Sequence, residues 1–385
     1  MGPSVLVIGA GMYVCGRGTA GCGTVLPTLI QAQAAGEIDT IAVAATSVRS
    51  IAELSDKCTA IAQRFGCTPR LRTYPAAGTD PQAYRQALAA IPKPAAAIIV
   101  VPDHLHAPIA ADVIAAGVHP LVVKPLAPTL AEARELTRLA EARGVHAAVE
   151  FHKRFDEANL LFKQALAGGR LGALRYCTVE YSQRRSVREA FGKWIDRTNI
   201  FQYLGVHYVD LLYFATGALP RRVAACGQRG DAQAPWDAIQ AMIEWEGPRS
   251  QQFVATIATS WIDPDTSSAM SDQRLLAVGT LGRYQSDQKH RGVQLVTADG
   301  VEEINPYFSQ LYADATGTMG IWGYGPRSIR QFLADVRDLE AGRVTRAALE
   351  ATCPSFRQAC VATAVIEAVN ASVSRNGGWV EVSSG

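Results

Sequence analysis

The first residues equipped for chemistry are glycines. Val5-Leu6-Val7-Ile8 is a continuous apolar run that ends in Gly9-Ala10-Gly11, and a helical pattern follows from Val25. In a strand that passes through Gly-x-Gly toward a helix, one glycine allows a tight turn and the second lets main chain approach a pyrophosphate. Gly9, Gly11 and Met12 are therefore candidates for holding a dinucleotide. Val14 stands where a third glycine is expected, and the residues before Thr24 read as a loop extended by about nine positions over the usual fingerprint. Gly23 would then let helix and strand pack closely, and Pro27 fits a first helical turn. A second apolar run leads into Thr46-Ser47-Val48-Arg49, where a carboxylate would hold the ribose hydroxyls of NAD. No acid occurs there before Glu53. Arg49 beside small hydroxyls suits a 2′-phosphate, which favours NADP; with Arg49 solvated, Thr46 or Ser47 would hold NAD instead.

Further along, Lys124 ends the apolar stretch Leu121-Val122-Val123 between Pro120 and Pro125, an unusual setting for a solvated ammonium. Buried strands and their following helices must position these groups. Apolar runs at 4–9, Ile41–Ala45 and Ala97–Val101 alternate with helical patterns at Val25–Ala35, Ile51–Phe65, Tyr84–Ile91, Ile109–Ala116 and Leu130–Arg143. Such alternation means βαβ units and a doubly wound parallel sheet. After Glu150 a helix near Asp156–Gly168 precedes segments rich in β-formers: Leu174–Gln183, Arg222–Cys226, Ala238–Trp245, Gln252–Trp261, Arg274–Val278 and Gly292–Val296. Several alternate apolar and polar residues, as antiparallel strands with one wetter face do. Ser328–Ala341 and Pro354–Val373 are helical, and Trp379–Val382 reads as a last strand. The expected class is α/β: a Rossmann domain over residues 1–149, then a substrate-binding and oligomerisation domain over 150–385 with a large, mainly antiparallel open sheet. Helices within about 327–375 could pack back on the first domain.

Composition narrows the partners. The chain has 385 residues, 37 Lys plus Arg against 35 Asp plus Glu, and a net charge of +2, so it carries no electrostatic footprint for nucleic acid or a membrane surface. The eight cysteines lack any C-x-x-C pair or Cys/His metal spacing, which suggests reduced structural thiols and no metal. Without a basic leader before Val5, a cytoplasmic location is expected.

Val101-Pro102-Asp103-His104-Leu105-His106, Val123-Lys124-Pro125, Phe151-His152-Lys153-Arg154-Phe155-Asp156 and Gly205-Val206-His207-Tyr208-Val209-Asp210 follow in an order that resembles the glucose-fructose oxidoreductase/inositol dehydrogenase/rhizopine-catabolism (Gfo/Idh/MocA) family. The resemblance covers nearly the whole chain. It implies a nicotinamide-dependent oxidoreductase acting on a secondary alcohol or carbonyl of a sugar, glycoside or cyclitol, assembled as a homodimer or homotetramer. It also implies that Val101, Pro102, Asp103, His106, Lys124 and Pro125 border the cofactor. Lys124 would reach cofactor and substrate, and His207 would transfer the proton. Chemistry agrees: an imidazole titrates near neutrality and can accept a hydroxyl proton, while a preorganised ammonium stabilises developing charge on the oxygen. A solvated Lys124 and a structural His207 are the competing readings.

Two positions depart from the family pattern. Val123 replaces the glutamate usual before the lysine, and Tyr203 replaces the aspartate usual four residues before the histidine. Tyr203 is either a phenolic donor to the substrate oxygen or a packing residue, and Asp210 reads as structural support. Lys153, Trp194, Arg197, Asn199 and His207 are the candidate substrate contacts. Trp322-Gly323-Tyr324-Gly325-Pro326 reads as a turn that closes over substrate or sits at a subunit contact. Two other functions remain open: an oxidoreductase whose long loop retains the cofactor for internal redox cycling, and a non-catalytic nucleotide- or sugar-sensing regulator.

Overall fold

The computed structural model describes residues 2–230, 235–248 and 251–383. The chain divides into two units, one made of Met1–Leu126, Ala131–His152 and Tyr307–Arg357, the other of Ala127–Leu130, Lys153–Pro306 and Gln358–Gly385.

The first unit is built on six parallel strands: β1 (Ser4–Ile8), β2 (Ile41–Ala44), β3 (Leu71–Tyr74), β4 (Ala95–Ile99), β5 (His119–Val123) and β6 (Ala148–Glu150). Their spatial order is β3-β2-β1-β4-β5-β6. Around them run α1 (Met12–Cys15), α2 (Val25–Ala34), α3 (Val48–Phe65), α4 (Ala83–Ala90), α5 (His106–Ala115) and α6 (Leu130–Arg143). Every residue of β1, β2 and β4 is buried, as strands covered on both faces require. Helix α3 buries Ile51, Leu54, Cys58 and Ile61 on one stripe, begins where Ser47 Oγ accepts the Ser50 N–H, and stops at the left-handed Gly66. Strand β3 escapes the sequence reading because Leu-Arg-Thr-Tyr sits at the sheet edge, only partly buried, and carries no apolar run.

The glycine loop differs from expectation. No extension follows Gly11, where α1 begins at once; the additional residues, Gly16–Gly23, connect α1 to α2. Gly23 has φ +70°, and a Cβ there would lie 2.6–2.7 Å from main-chain atoms of Cys15, Gly16 and Val14. Its close approach is therefore to α1, not to a strand. The connection is tied to α3: Lys57 Nζ donates to the Thr19 and Gly21 carbonyls at 2.8 Å, and Arg17 donates to Ser50 Oγ at 2.9 Å and pairs with Glu53 at 2.6 Å.

The second unit carries α7 (Glu157–Ala167), β7 (Leu174–Arg184), α8 (Arg185–Ala190), α9 (Val206–Thr216), β8 (Leu219–Gln228), β9 (Ala238–Glu246), β10 (Gln252–Asp263), β11 (Ser271–Gly279) and β12 (Arg283–Asp287). Strands β13 (Val293–Thr297) and β14 (Gly300–Ile304) pair only with each other. Segment Gly292–Val296 is thus a hairpin arm and no part of the large sheet. Returning to the first unit, β15 (Gln310–Ala313) and β16 (Met319–Trp322) lead into α10 (Tyr324–Glu340) and α11 (Arg346–Thr352). Helix α12 (Phe356–Ser374) and β17 (Val380–Glu381) finish the chain. The seven-stranded sheet has the order β12-β11-β7-β10-β9-β8-β17 and is antiparallel except for the β7–β10 pair. Alternation along its strands buries Cys177, Val179, Ala255, Ile257 and Trp261 and turns Tyr176 and Met242 to the opposite, exposed face.

Segment Trp322–Pro326 leads from β16 into α10. Tyr324, Gly325 and Pro326 are buried as the first turn of α10, and the Tyr324 and Gly325 N–H groups donate to the Tyr307 and Phe308 carbonyls of the same unit. All eight cysteines are free, and burial pushes the Cys58 thiol up to about 11 and Cys177 to about 12, which leaves both unreactive near neutrality. Among the described residues, no helix is long and apolar enough to cross a membrane.

Candidate active site

In the first unit the strand order reverses between β1 and β4, the point at which ligands bind beyond the carboxyl ends of an open α/β sheet. Gly9, just past β1, has φ +119°, and a Cβ there would stand 2.0 Å from the Val100 carbonyl oxygen. Any side chain would force the two turns apart. Gly11 meets no atom within 4 Å of its missing Cβ, which leaves room for a phosphate, and Met12 next to it is half-buried. At the end of β2, Thr46 and Arg49 are exposed; Arg49 pairs with Glu53 at 3.3 Å, while Ser47 Oγ is engaged with Ser50.

The turn after β4 holds Val101 and Pro102 half-buried and Asp103 buried. His106 is fully buried, with Nδ1 2.7 Å from the Pro125 carbonyl and Nε2 2.9 Å from the Val101 carbonyl. It joins the ends of β4 and β5, holding this loop to the cis Lys124–Pro125 peptide. Lys124 keeps some surface, but its ammonium end is enclosed by protein. Burial lowers it to about 8, against the opposing charges of Asp103 and Glu150.

Glu150 is a residue that sequence reasoning missed. It ends β6 in register with Val123 on β5, so the neighbouring strand supplies a carboxylate beside the lysine where the sequence shows valine. The Glu150 side chain accepts a 2.6 Å hydrogen bond from Ser328 and lies 3.0 Å from His152 Nδ1. Burial, and then the Glu150 charge, push the Tyr13 hydroxyl well above its ordinary range. The one signal available in the sequence was an acid closing a buried run, Ala147-Ala148-Val149-Glu150.

In the second unit His207 is the second residue of α9 and is 3% exposed, with its ring centroid 6.3 Å from that of Tyr181. A π-helical turn over Phe201–Gly205 precedes it, a local widening that recurs at functional sites. Tyr203 within that turn packs edge-on to Phe191 at 4.7 Å and near Trp261 at 6.3 Å, and Trp194 stacks on Phe191 at 4.3 Å. Burial, then the nearby Tyr203, raises the Tyr181 hydroxyl. Asp210, one turn beyond His207, takes both ends of the Arg154 guanidinium at 2.6 and 2.8 Å.

The remaining candidates are scattered within this unit. Lys153 is 1% exposed, its ammonium bonded to the Gln273 and Gln288 amide oxygens and facing the Tyr181 and Tyr208 rings at 5.2 and 4.9 Å. It is an interior cation already supplied with partners. Asn199 accepts the Gln202 N–H, donates to Asn370, and lines a cleft of about 400 Å³ together with Thr198, Arg229 and Trp236. Arg197 is exposed.

Residues 4–151 match the model of the oxidoreductase family with an NAD-binding Rossmann fold, and residues 160–285 match the Gfo/Idh/MocA C-terminal domain. Over 115 residues the chain is 34% identical to "Uncharacterized oxidoreductase YhhX" of Escherichia coli (strain K12), which covers 29% of this chain and 33% of that protein. Over 142 residues it is 29% identical to scyllo-inositol 2-dehydrogenase (NADP(+)) IolW of Bacillus subtilis (strain 168), covering 35% and 39% respectively. These matches span between 33% and 39% of the relatives' own lengths. The crystal structure of scyllo-inositol dehydrogenase from Lactobacillus casei with bound cofactor NAD(H) and scyllo-inositol superposes with a TM-score of 0.68 at 14% identity, covering 100% of both chains. With both family domains matched in order behind a reversed strand order at Gly9, the chain belongs to the Gfo/Idh/MocA oxidoreductases and opens with their NAD-binding Rossmann domain.

Proposed function

We propose that the protein transfers a hydride between nicotinamide and a secondary alcohol or carbonyl carbon of a cyclitol, sugar or glycoside, with Lys124 and His207 acting at that carbon. The observation that carries this reading is Lys124 just past β5, charge-coupled to Asp103 and Glu150, in the same parallel sheet as the dinucleotide-type turn at Gly9. A bound nicotinamide supplies or receives the hydride at its C4. The chain's own groups handle the proton and the charge. Lys124 at neutral pH is an ammonium that steadies negative charge on the substrate oxygen, and Asp103 and Glu150 keep it charged against burial. His207 accepts the hydroxyl proton in oxidation and returns it in reduction. Tyr203 packs in an aromatic wall with Phe191 and Trp261, and Trp194 stacks on the same Phe191; Trp194, Arg197 and Asn199 are the groups we assign to contact with a polyol.

The cyclitol class is supported by inositol dehydrogenases among both the sequence relatives and the structural neighbours. NADP is preferred, because the end of β2 offers exposed Arg49 and hydroxyls and no acid before Glu53. The exposed face of the seven-stranded sheet, with Tyr176 and Met242, is the surface for a dimer or tetramer. Steady-state rates over a panel of inositols, aldoses and glycosides with NAD+ and NADP+ test the reading. Lys124→Met should lower kcat/KM on the best substrate by about 10²–10³-fold. Unchanged turnover in that variant would remove Lys124 from the chemistry.

A further inference from the structure

We propose that His146, Asp335 and Cys353 form a binding site for one Zn²⁺ ion, which clamps α10 and the end of α11 to the edge of the parallel sheet. The three side chains come from separate elements of the first unit: the turn between α6 and β6, the middle of α10, and the residue that caps α11. Their ligand atoms all lie within 4.8 Å of one another. Cys353 Sγ is 3.1 Å from Asp335 Oδ2, and His146 Nε2 is 4.0 Å from the same oxygen. Bond lengths of about 2.0–2.3 Å at a tetrahedral centre set the ligands about 3.3–3.6 Å apart. Small side-chain adjustments therefore produce the geometry, and water completes a four-coordinate shell.

The imidazole points to a cation. His146 is 2% exposed, its ring stacks on Phe332 at 5.4 Å, and its Nε2 is buried without a hydrogen-bond partner. A thiol-to-carboxylate hydrogen bond accounts for the Cys353–Asp335 contact, but it leaves that nitrogen unsatisfied, which a fold ordinarily avoids. The site is otherwise prepared. The His146 main-chain N–H donates to His119 Nδ1 at 2.9 Å, which fixes the backbone, and Gln331 donates to Asp335 Oδ1 at 2.8 Å, which leaves Oδ2 for the ion. Arg346, the nearby cation, is paired with Glu350 at 2.9 Å beside a cavity of about 10 Å³ that His146 also lines.

The donor set selects the metal. One thiolate, one imidazole and one carboxylate suit Zn²⁺ or Co²⁺, whereas Mg²⁺ and Ca²⁺ take oxygen ligands. On binding, the Cys353 thiol releases its proton to solvent, and thiolate, carboxylate, neutral imidazole and divalent ion sum to zero charge. A neutral cluster suits this buried position.

Co²⁺ added to the chelator-treated full chain tests the site. One equivalent should give visible d–d bands of tetrahedral intensity and a near-ultraviolet thiolate-to-cobalt band, and Zn²⁺ should displace both. Cys353→Ser and His146→Gln, each checked for folding by circular dichroism, should lose the thiolate band or the stoichiometric binding. In the unaltered chain, Zn²⁺ should slow alkylation of Cys353 by about tenfold, because a metal-bound thiolate is withdrawn from attack, while exposed Cys226 reacts as before. Absence of a stoichiometric cobalt spectrum, a spectrum that survives in folded Cys353→Ser, or equal alkylation of Cys353 with and without Zn²⁺ would overturn the proposal.

Discussion

At the scale of single residues, the decisive group is Lys124 and the decisive surprise is Glu150. Burial lowers the lysine to about 8, so the ammonium that the proposed reaction uses is lost as pH rises through that value, well below a free lysine's range. The pH profile of kcat/KM should therefore show an alkaline limb near pH 8. Because Glu150 opposes the burial effect, Glu150→Gln should move that limb to lower pH; an unmoved limb would separate the carboxylate from the lysine. The same shift has a sign for stability. Between pH 8 and 10.5 the unfolded chain holds the Lys124 proton that the folded chain has released, so folding gains as pH rises through this window. Lys124→Met should accordingly be more stable than the parent at pH 7, with the gap closing toward pH 10.5 in denaturant titrations. Gly9→Ala should cost about 2–3 kcal/mol through strained φ alone, and more through the clash with Val100, with nucleotide binding lost in calorimetry. The tight turn at Gly9 was legible because residue type and local order identify it. Glu150 was not: its role arises from strand register, and only a folded sheet sets Glu150 beside Val123.

At the scale of elements, α9 presents His207 while its next turn is anchored by the Arg154–Asp210 pair, both side chains almost wholly buried. Burial raises the Asp210 carboxyl despite the adjacent guanidinium, so the aspartate depends on its partner to remain charged. Arg154→Met should destabilise the protein by about 3–5 kcal/mol by stranding that carboxyl, read as a lower denaturation midpoint. Part of the loss should be recovered by the double variant with Asp210→Asn. Elements with strong periodicity, such as α3 and β1, could be read from sequence because packing and pattern agree. The connection from Gly16 to Gly23 was misplaced because the one-turn helix α1 has only four residues, too few for a period. Likewise β13 has the composition of a sheet strand but pairs only with β14, a choice made by tertiary contacts.

At the scale of the molecule, the family sets the reaction class and surface chemistry sets what is done with it. Arg49 is exposed and, among the described residues, pairs with Glu53 at 3.3 Å, and it is the group proposed to meet a 2′-phosphate. Arg49→Ala should raise the KM for NADP+ roughly five- to tenfold, the effect of one lost charge-assisted contact, and leave NAD+ nearly unchanged. On the outer face of the large sheet, Met242 lies opposite Thr256 in a half-apolar surface that a second copy would cover. Met242→Glu should shift the sedimentation coefficient toward that of the monomer. The broad architecture was readable because alternation of buried strands with helices, then of apolar with polar residues, differs so sharply at Glu150. The sequence reading allowed helices within about 327–375 to rejoin the first domain, but the return begins earlier, at Tyr307, where the short β15–β16 pair carries no local signal of which core it joins.

Hydride transfer itself is the claim on which the account stands. Incubating the full chain with NADP+ and inositols or aldoses deuterated at each ring carbon, then weighing the recovered cofactor by mass spectrometry, reads it directly. The account predicts deuterium on the nicotinamide from one ring carbon of one substrate, abolished in His207→Ala. A cofactor that stays unlabelled with every substrate, or labelling that is undiminished in His207→Ala, would contradict it.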